Sequence, residues 1–110
     1  MIGGYFTEEI ELFIGPYSQS VGFRNRNYIE NIINFMSKKG PITKPSDLMN
    51  YFDDNSNIDE FKIFINANNG QNFDKYINFI NYVLDIKYGS EQRPENIAIM
   101  MNPRNGTVIS

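Results

Sequence analysis

Residues 28–52 place the strongest constraint on the fold, because one apolar helical pattern ends there and a second one begins. From Tyr28 to Met36 apolar residues recur at helical spacing, with polar residues between them. That spacing predicts an amphipathic helix with one buried face. Gly40 and Pro41 follow, and a left-handed glycine ahead of a proline is a common helix stop. We therefore predict one helix up to this point and a new element after it.

The second helix is predicted to begin at Ser46, a residue type that caps helix N-termini. The next segment, residues 58–65, fits two structures. Ser56 followed by Asp59 resembles a capping box and favours a third helix. Alternation of Phe61, Ile63 and Ile65 with other residues fits a strand as well. We favour the helix and keep the strand as the alternative.

The C-terminal third predicts one long helix and then a hairpin. A helical pattern starts after Asn72 and ends at Gly89, a typical left-handed stop. Residues 96–101 are predicted to form a strand, residues 102–106 a turn, and residues 107–109 the returning strand.

The N-terminal segment also fits two structures. Ile10, Leu12 and Ile14 alternate with polar residues, which favours a strand over residues 10–14. Alternatively, Thr7 could cap a short helix that ends at Gly15-Pro16. We favour the strand, with a turn and loop over residues 15–20.

Size and composition limit the classes of protein. With 110 residues, 41% of them hydrophobic, the chain is expected to form a single domain over residues 1–110. It contains no histidine and no cysteine, which excludes catalytic triads, cysteine nucleophiles and Cys/His zinc sites. We expect a non-catalytic protein with no cofactor and no metal. The absence of a long apolar run and of a signal-peptide pattern predicts a cytoplasmic protein without a membrane partner.

The charge distribution is uneven along the chain. The net charge is −3, yet residues 22–46 hold five cations against Glu30 alone. That segment could form a basic face on an acidic protein, although a scattered, solvated distribution of the charges is the more common outcome. Frequent Asn, Ile, Phe, Tyr and Lys with little Ala track A/T-rich codons, from which we infer a plasmid, a phage or a low-GC bacterium as the source.

The predicted helix, Pro-Ile-Thr segment, capped helix, further helix and hairpin together resemble the winged helix-turn-helix family. The resemblance implies an α+β domain with a helical core of three or four helices and a C-terminal β-hairpin wing. The alternative fold is a βαβαβ open-sheet sandwich, which requires strands at residues 10–14 and 61–65. The implied function is that of a DNA-binding accessory or regulatory protein with double-stranded DNA as its partner.

The resemblance assigns roles to particular residues. Lys38, Lys39 and Lys44 would pair with phosphates near the turn, and Arg24 and Arg26 would form an anion site. Arg104 would lie on the wing and enter the minor groove. A second candidate reader is a helical stripe of Lys75, Asn78 and Asn81, since asparagine suits adenine in the major groove.

A protein-binding inhibitor or adaptor is the competing class. Acidic patches can meet basic partner surfaces by mimicking phosphate. The residues that would do so are Asp53, Asp54, Asp59 and Glu60. A homodimer is a further expectation, with Tyr5 and Phe6 supplying an apolar patch.

Overall fold

The computed structural model describes residues 6–21, 26–67 and 73–101, and every regular element in these ranges is helical. The elements are α1 (Glu8–Val21), α2 (Asn27–Met36), a short 3-10 turn (Ser37–Lys39), α3 (Pro45–Tyr51), α4 (Asn55–Ala67), α5 (Phe73–Tyr88) and α6 (Glu95–Met100). The described residues contain no strand. The predicted α+β class is therefore wrong, and so is the alternative βαβαβ open sheet.

The strand predicted for residues 10–14 is part of α1. Ile10, Ile14 and Tyr17 are buried while Leu12 is 73% exposed, so burial follows the helical period and not strand alternation. Thr7 Oγ1 accepts a hydrogen bond from the Ile10 N–H at 3.2 Å, as a cap does. The alternative prediction, a helix capped by Thr7, is therefore correct for the start of α1.

The predicted stop at Gly15-Pro16 and the loop over residues 15–20 are wrong, because α1 continues to Val21. Proline inside a helix leaves the carbonyl four residues earlier without its usual donor. Here that carbonyl belongs to Leu12, and both Leu12 and Pro16 lie on the exposed side of α1. Water can therefore satisfy the carbonyl, which lowers the cost of the proline.

The first strand of the predicted wing is a helix. Residues 96–101 lie in α6 and its final turn, with Ile97, Met100 and Met101 buried and Ile99 exposed. Ile97, Ile99 and Met101 would share one face of a strand, but burial at positions 97, 100 and 101 is helical. The remaining parts of the hairpin, residues 102–109, lie outside the described residues.

The other helices were predicted correctly, although some of their ends differ. α2 gives way to the 3-10 turn, and Gly40 (φ 162°) is extended and not left-handed. Gly89 (φ 61°) is left-handed, as predicted. α3 begins at Pro45 with Lys44 in the cap position, so Ser46 lies inside the helix. Residues 58–65 are helical, which confirms the favoured alternative for this segment.

Buried apolar side chains from all the described helices form one cluster. α2 packs against α3 and α5, α3 also packs against α1 and α5, and α4 packs against α6. The rotation of α4 in this cluster is defined by Ile58, Phe61 and Ile65, which all point inward. The opposite side of α4 therefore faces solvent.

Replacing Ser18 by alanine is expected to stabilise the fold. Ser18 is 1% exposed, and its Oγ makes no hydrogen bond within the described part of the chain. Alanine removes this buried hydroxyl and has the higher helix propensity, so Ser18→Ala should raise the free energy of unfolding by about 1 kcal/mol. Urea denaturation measures the difference.

Ser20→Ala is the matched control on the same helix. Ser20 is an exposed residue whose hydroxyl donates to the Tyr17 carbonyl at 2.8 Å, so loss of this hydroxyl should change stability by less than about 0.5 kcal/mol. A loss of stability in Ser18→Ala would show that the hydroxyl is satisfied in solution.

Candidate functional site

The solvent side of α4 carries an isoleucine beside two carboxylates. Ile63 is 69% exposed, and Asp59 and Glu60, which precede it by four and three residues, are exposed as well. Residues at these spacings are neighbours on a helix surface. We refer to Asp59, Glu60 and Ile63 together as the α4 stripe.

Asp59 and Glu60 differ in the hydrogen bonds and ion pairs that their side chains form within the chain. Asp59 forms no hydrogen bond or ion pair within the described residues. Glu60 Oε2 pairs with Lys39 Nζ at 2.9 Å, with the two side chains 47% and 41% exposed. Exposed pairs contribute only about 0–1 kcal/mol, so this one can be exchanged for contacts with a partner.

Asp53 and Asp54, the other two predicted acidic residues, have local roles. Asp54 Oδ1 accepts hydrogen bonds at 2.8 Å from both the hydroxyl and the N–H of Ser56, which caps α4. These bonds, led by the one from the hydroxyl, lower the pKa of Asp54. Asp53 Oδ1 pairs with Lys87 Nζ at 2.8 Å. Neither residue belongs to the α4 stripe.

Among the described residues, two of the predicted DNA-contacting cations are in ion pairs. Arg26 Nη2 lies 2.7 Å from Glu11 Oε2 and its guanidinium lies over the Phe6 ring, so Arg26 links α1 to the start of α2. The hydrogen bond with Glu11 is the main reason that the pKa of Arg26 is raised. Lys39 pairs with Glu60, as described above. Arg24 and Arg104 lie outside the described residues.

The remaining predicted DNA-contacting residues do not form one patch. Lys75 Nζ lies 6.0 Å from the centre of the Tyr28 ring, near the start of α2, while Lys38 Nζ lies 5.5 Å from the Phe35 ring, near its end. Tyr28 and Phe35 are seven residues apart in α2, which is about 10.5 Å along the helix axis. Lys44 is exposed in the loop before α3.

The predicted asparagine stripe on α5 is only partly available. Asn78 is exposed, as is Lys75 on the same helix. Asn81 Oδ1 accepts a hydrogen bond from Arg93 Nη1 at 2.7 Å, which holds the connector before α6. Asn81 is therefore already engaged within the chain.

A small open cleft of about 190 Å³ lies beside the connection between α2 and α3. Its lining residues are Met36, Lys39, Gly40, Pro41, Ile42, Asp47, Asn50, Tyr51 and Asn57. Met36 and Tyr51 are buried at its base, and burial raises the pKa of Tyr51 to about 12. The cleft meets α4 through Asn57 and through the pair between Lys39 and Glu60.

The loop before α3 borders the cleft, and its hydrogen bonds to Asp47 fix its position. Asp47 Oδ2 accepts from the Thr43 N–H at 2.9 Å, and from the Thr43 hydroxyl and the Lys44 N–H at 3.2 Å. The Thr43 N–H is the main cause of the lowered pKa of Asp47. Thr7 Oγ1 also donates to the Thr43 carbonyl at 2.6 Å. The N-terminus of α1 is thus tied to this loop.

Ile63, Asn50 and the cleft were not identified from the sequence. Helical spacing over residues 61–65 places Ile63 on the opposite side of the helix from Phe61 and Ile65, so the sequence contained enough information to predict its exposure. The cleft depends on residues from α2, α3 and α4, so no local pattern marks it. Phe6, predicted to supply an apolar dimer patch, is instead buried in the core, and Tyr5 lies outside the described residues.

No family model, curated protein or solved structure matches this chain. None of the described helices is long and apolar enough to cross a membrane.

Replacing Asp47 by asparagine should reduce both stability and its dependence on pH. The folded pKa of Asp47 lies below its ordinary value of 3.8, so its contribution is present above that value and is lost as the pH falls through the folded pKa. At neutral pH, Asp47→Asn should lower the free energy of unfolding by about 1 kcal/mol. The two proteins should become more similar in stability below the folded pKa.

Urea denaturation over a series of pH values measures this effect, with Asp59→Asn as the control. Asp59 has no hydrogen bond within the described residues, so its replacement should leave stability within about 0.5 kcal/mol of the original protein. Equal losses for the two variants at neutral pH would contradict a stabilising role for the hydrogen bonds that Asp47 accepts from Thr43 and Lys44.

Proposed function

We propose that the chain is a non-catalytic protein-binding module whose α4 stripe contacts a basic partner surface. The observation that carries this proposal is the exposure of Ile63 beside Asp59 and Glu60 on one side of α4. Cytoplasmic location and an origin in a mobile element or a low-GC bacterium remain predictions from the sequence.

Two properties of the α4 stripe, its apolar surface and its negative charge, favour association with such a partner. Burying a fully exposed isoleucine side chain contributes about 1.5–3 kcal/mol, and Ile63 is 69% exposed in the free chain. Carboxylates at the edge of an interface accelerate encounter with a basic surface and disfavour acidic ones. The pair between Lys39 and Glu60 costs little to rearrange, because both side chains are exposed.

The same stripe is poorly suited to DNA. A helix that enters the major groove presents donors to bases and cations to phosphates. The exposed side of α4 instead presents Asp59 and Glu60, which phosphates repel. Of the four acidic residues predicted from the sequence to contact a partner protein, the proposal therefore keeps only Asp59 and Glu60. Ile63 supplies the apolar contact between the α4 stripe and the partner.

DNA binding without a wing is the second proposal, and one observation favours it. α3 and α4 are joined by residues 52–54, and a turn of three or four residues is typical of helix-turn-helix motifs. Lys38, Lys44 and Lys75, which are exposed, would then contact phosphates. The spacing between the helices supports this proposal, while the acidic α4 stripe weighs against it.

The experiment is an NMR titration of the ¹⁵N-labelled chain with a leucine–lysine peptide, a leucine–glutamate peptide and an AT-rich duplex. The lysine peptide should shift the backbone amides of Asp59, Glu60 and Ile63, and the glutamate peptide should not. Ile63→Ala should weaken binding about 5–20-fold through lost apolar contact. Asp59→Asn should weaken it about twofold and reduce its dependence on salt.

Two matched control variants test whether the peptide binds at the α4 stripe and not at any exposed isoleucine or carboxylate. Ile86→Ala removes another exposed isoleucine, on α5, and Glu91→Gln removes an exposed carboxylate of the α5–α6 connector. Both should leave the affinity unchanged. Peptide shifts centred away from α4 would contradict the first proposal. Duplex binding that shifts Lys38, Lys44 and Lys75 and weakens steeply with salt would favour the second.

A further inference from the structure

The outer side of α1 carries four residues that we call the α1 stripe: Glu8, Leu12, Gly15 and Gln19. They follow one another at intervals of four, three and four residues, the spacing that keeps side chains on one face of a helix. Leu12 is 73% exposed, and Glu8 and Gln19 are exposed as well. The buried residues of α1 lie on its other side, so the α1 stripe faces solvent.

Gly15 leaves an open gap in the middle of the α1 stripe. A Cβ atom placed on Gly15 would meet no atom within 4 Å, so no side chain of the described residues fills this space. Leu12 projects an apolar side chain three residues earlier. The Leu12 carbonyl, which lacks its usual donor because of Pro16, points along the axis towards Pro16 beside the stripe, so water can still reach it. The stripe thus presents one large apolar side chain next to bare backbone.

The α1 stripe is complementary to itself when a second copy of α1 lies antiparallel to it. The two inner positions then face each other across the pair, as do the two outer positions. Leu12 of one copy fills the gap at Gly15 of the other, and large and small residues at facing positions interdigitate. The Gln19 carboxamide donates to the Glu8 carboxylate of the other copy. A parallel pair would instead place the two Glu8 carboxylates side by side.

The charges around the α1 stripe are compatible with this pairing. Glu8 and Gln19 form no hydrogen bond or ion pair within the described residues, so both side chains are available. Arg26 lies at the edge of the stripe, where it neutralises Glu11. In the antiparallel pair the Glu9 carboxylates of the two copies are separated by about 13 Å along the axis, which is beyond the screening length at physiological salt.

We propose that the α1 stripe forms the contact of an antiparallel homodimer. The occupant is a second copy because the stripe supplies both the side chain and the gap that receives it, and both the donor and its acceptor. Contact through one helix per copy buries less than the about 1,600 Å² of a standard interface, so the dissociation constant should be about 0.1–1 mM. This inference uses no residue of the α4 stripe and does not depend on the function proposed above.

The concentration dependence of ¹⁵N relaxation in the full chain tests the dimer. Between about 0.05 and 1 mM the rotational correlation time should rise, and the amide shifts that change should be those of α1. Leu12→Ala should weaken association more than about tenfold, because the side chain is lost from both copies at once. Ile99→Ala, which truncates an exposed isoleucine on α6, is the matched control and should leave association unchanged.

A charge exchange between positions 8 and 19 tests the antiparallel order. Gln19→Glu should weaken the dimer about tenfold, because it sets two carboxylates against each other at both ends of the contact. The double variant Glu8→Lys/Gln19→Glu should restore association. The two positions are about 16 Å apart along one helix, so only a contact between copies can produce this rescue. Gln92→Glu, at an exposed position of the α5–α6 connector, is the control for added charge and should have no effect.

Three results would overturn this inference. One is a correlation time that does not rise up to about 1 mM. Another is a dimer whose concentration-dependent shifts lie outside α1, or one that Leu12→Ala leaves intact. The third is a double variant that remains as weak as Gln19→Glu while circular dichroism shows it to be folded. A heterologous partner on α1 would give the first result, and the peptide titration at the α4 stripe is decided separately.

Discussion

Phe61 is the side chain on which the placement of α4 depends. Fully buried, it lies 5.9 Å from the Phe35 ring of α2, 6.1 Å from Tyr51 of α3 and 5.6 Å from Phe52, all at edge-to-face angles. Phe64 continues the cluster by stacking on Phe35 at 4.4 Å. Aromatic pairs have preferred geometries, so this cluster restricts the rotation of α4 about its axis. The same rotation directs Asp59 and Ile63 to solvent.

The fold also explains why the described cations of residues 22–46 do not lie on one continuous face. Arg26 and Lys39 come from the cation-rich segment, but each pairs with a carboxylate distant in sequence, Glu11 and Glu60. Lys38 and Lys75 lie over aromatic rings at opposite ends of α2. Local charge along a chain predicts a surface patch only where the side chains share a face, and tertiary packing separates these.

The sequence was sufficient for the long, strongly periodic helices and insufficient for the short segments. α2 and α5 span several turns, so the helical period is unambiguous over residues 28–36 and 73–88. Residues 10–14 and 96–101 are too short to separate periods of 2.0 and 3.6, and both are helical because of the core they contact. At the candidate site, the sequence predicted Asp59 and Glu60 as possible partner-binding residues, whereas the exposure of Ile63 depends on the rotation of α4 and the cleft depends on three helices. Similarly, the clustering of acidic residues in the sequence does not indicate that Asp54 caps α4.

The same helix, α4, therefore carries core contacts on one side and the proposed interaction surface on the other. Phe61 on its inner side joins it to α2 and α3, and Asp54 caps its first turn, so the stripe on its outer side is presented by a well-supported helix. A preorganised surface loses less conformational entropy when a partner binds than a flexible one does. The loop that borders the cleft is held from two directions, by Asp47 within α3 and by Thr7 at the start of α1. These hydrogen bonds and the aromatic cluster around Phe61 thus fix the loop and α4 against the same core.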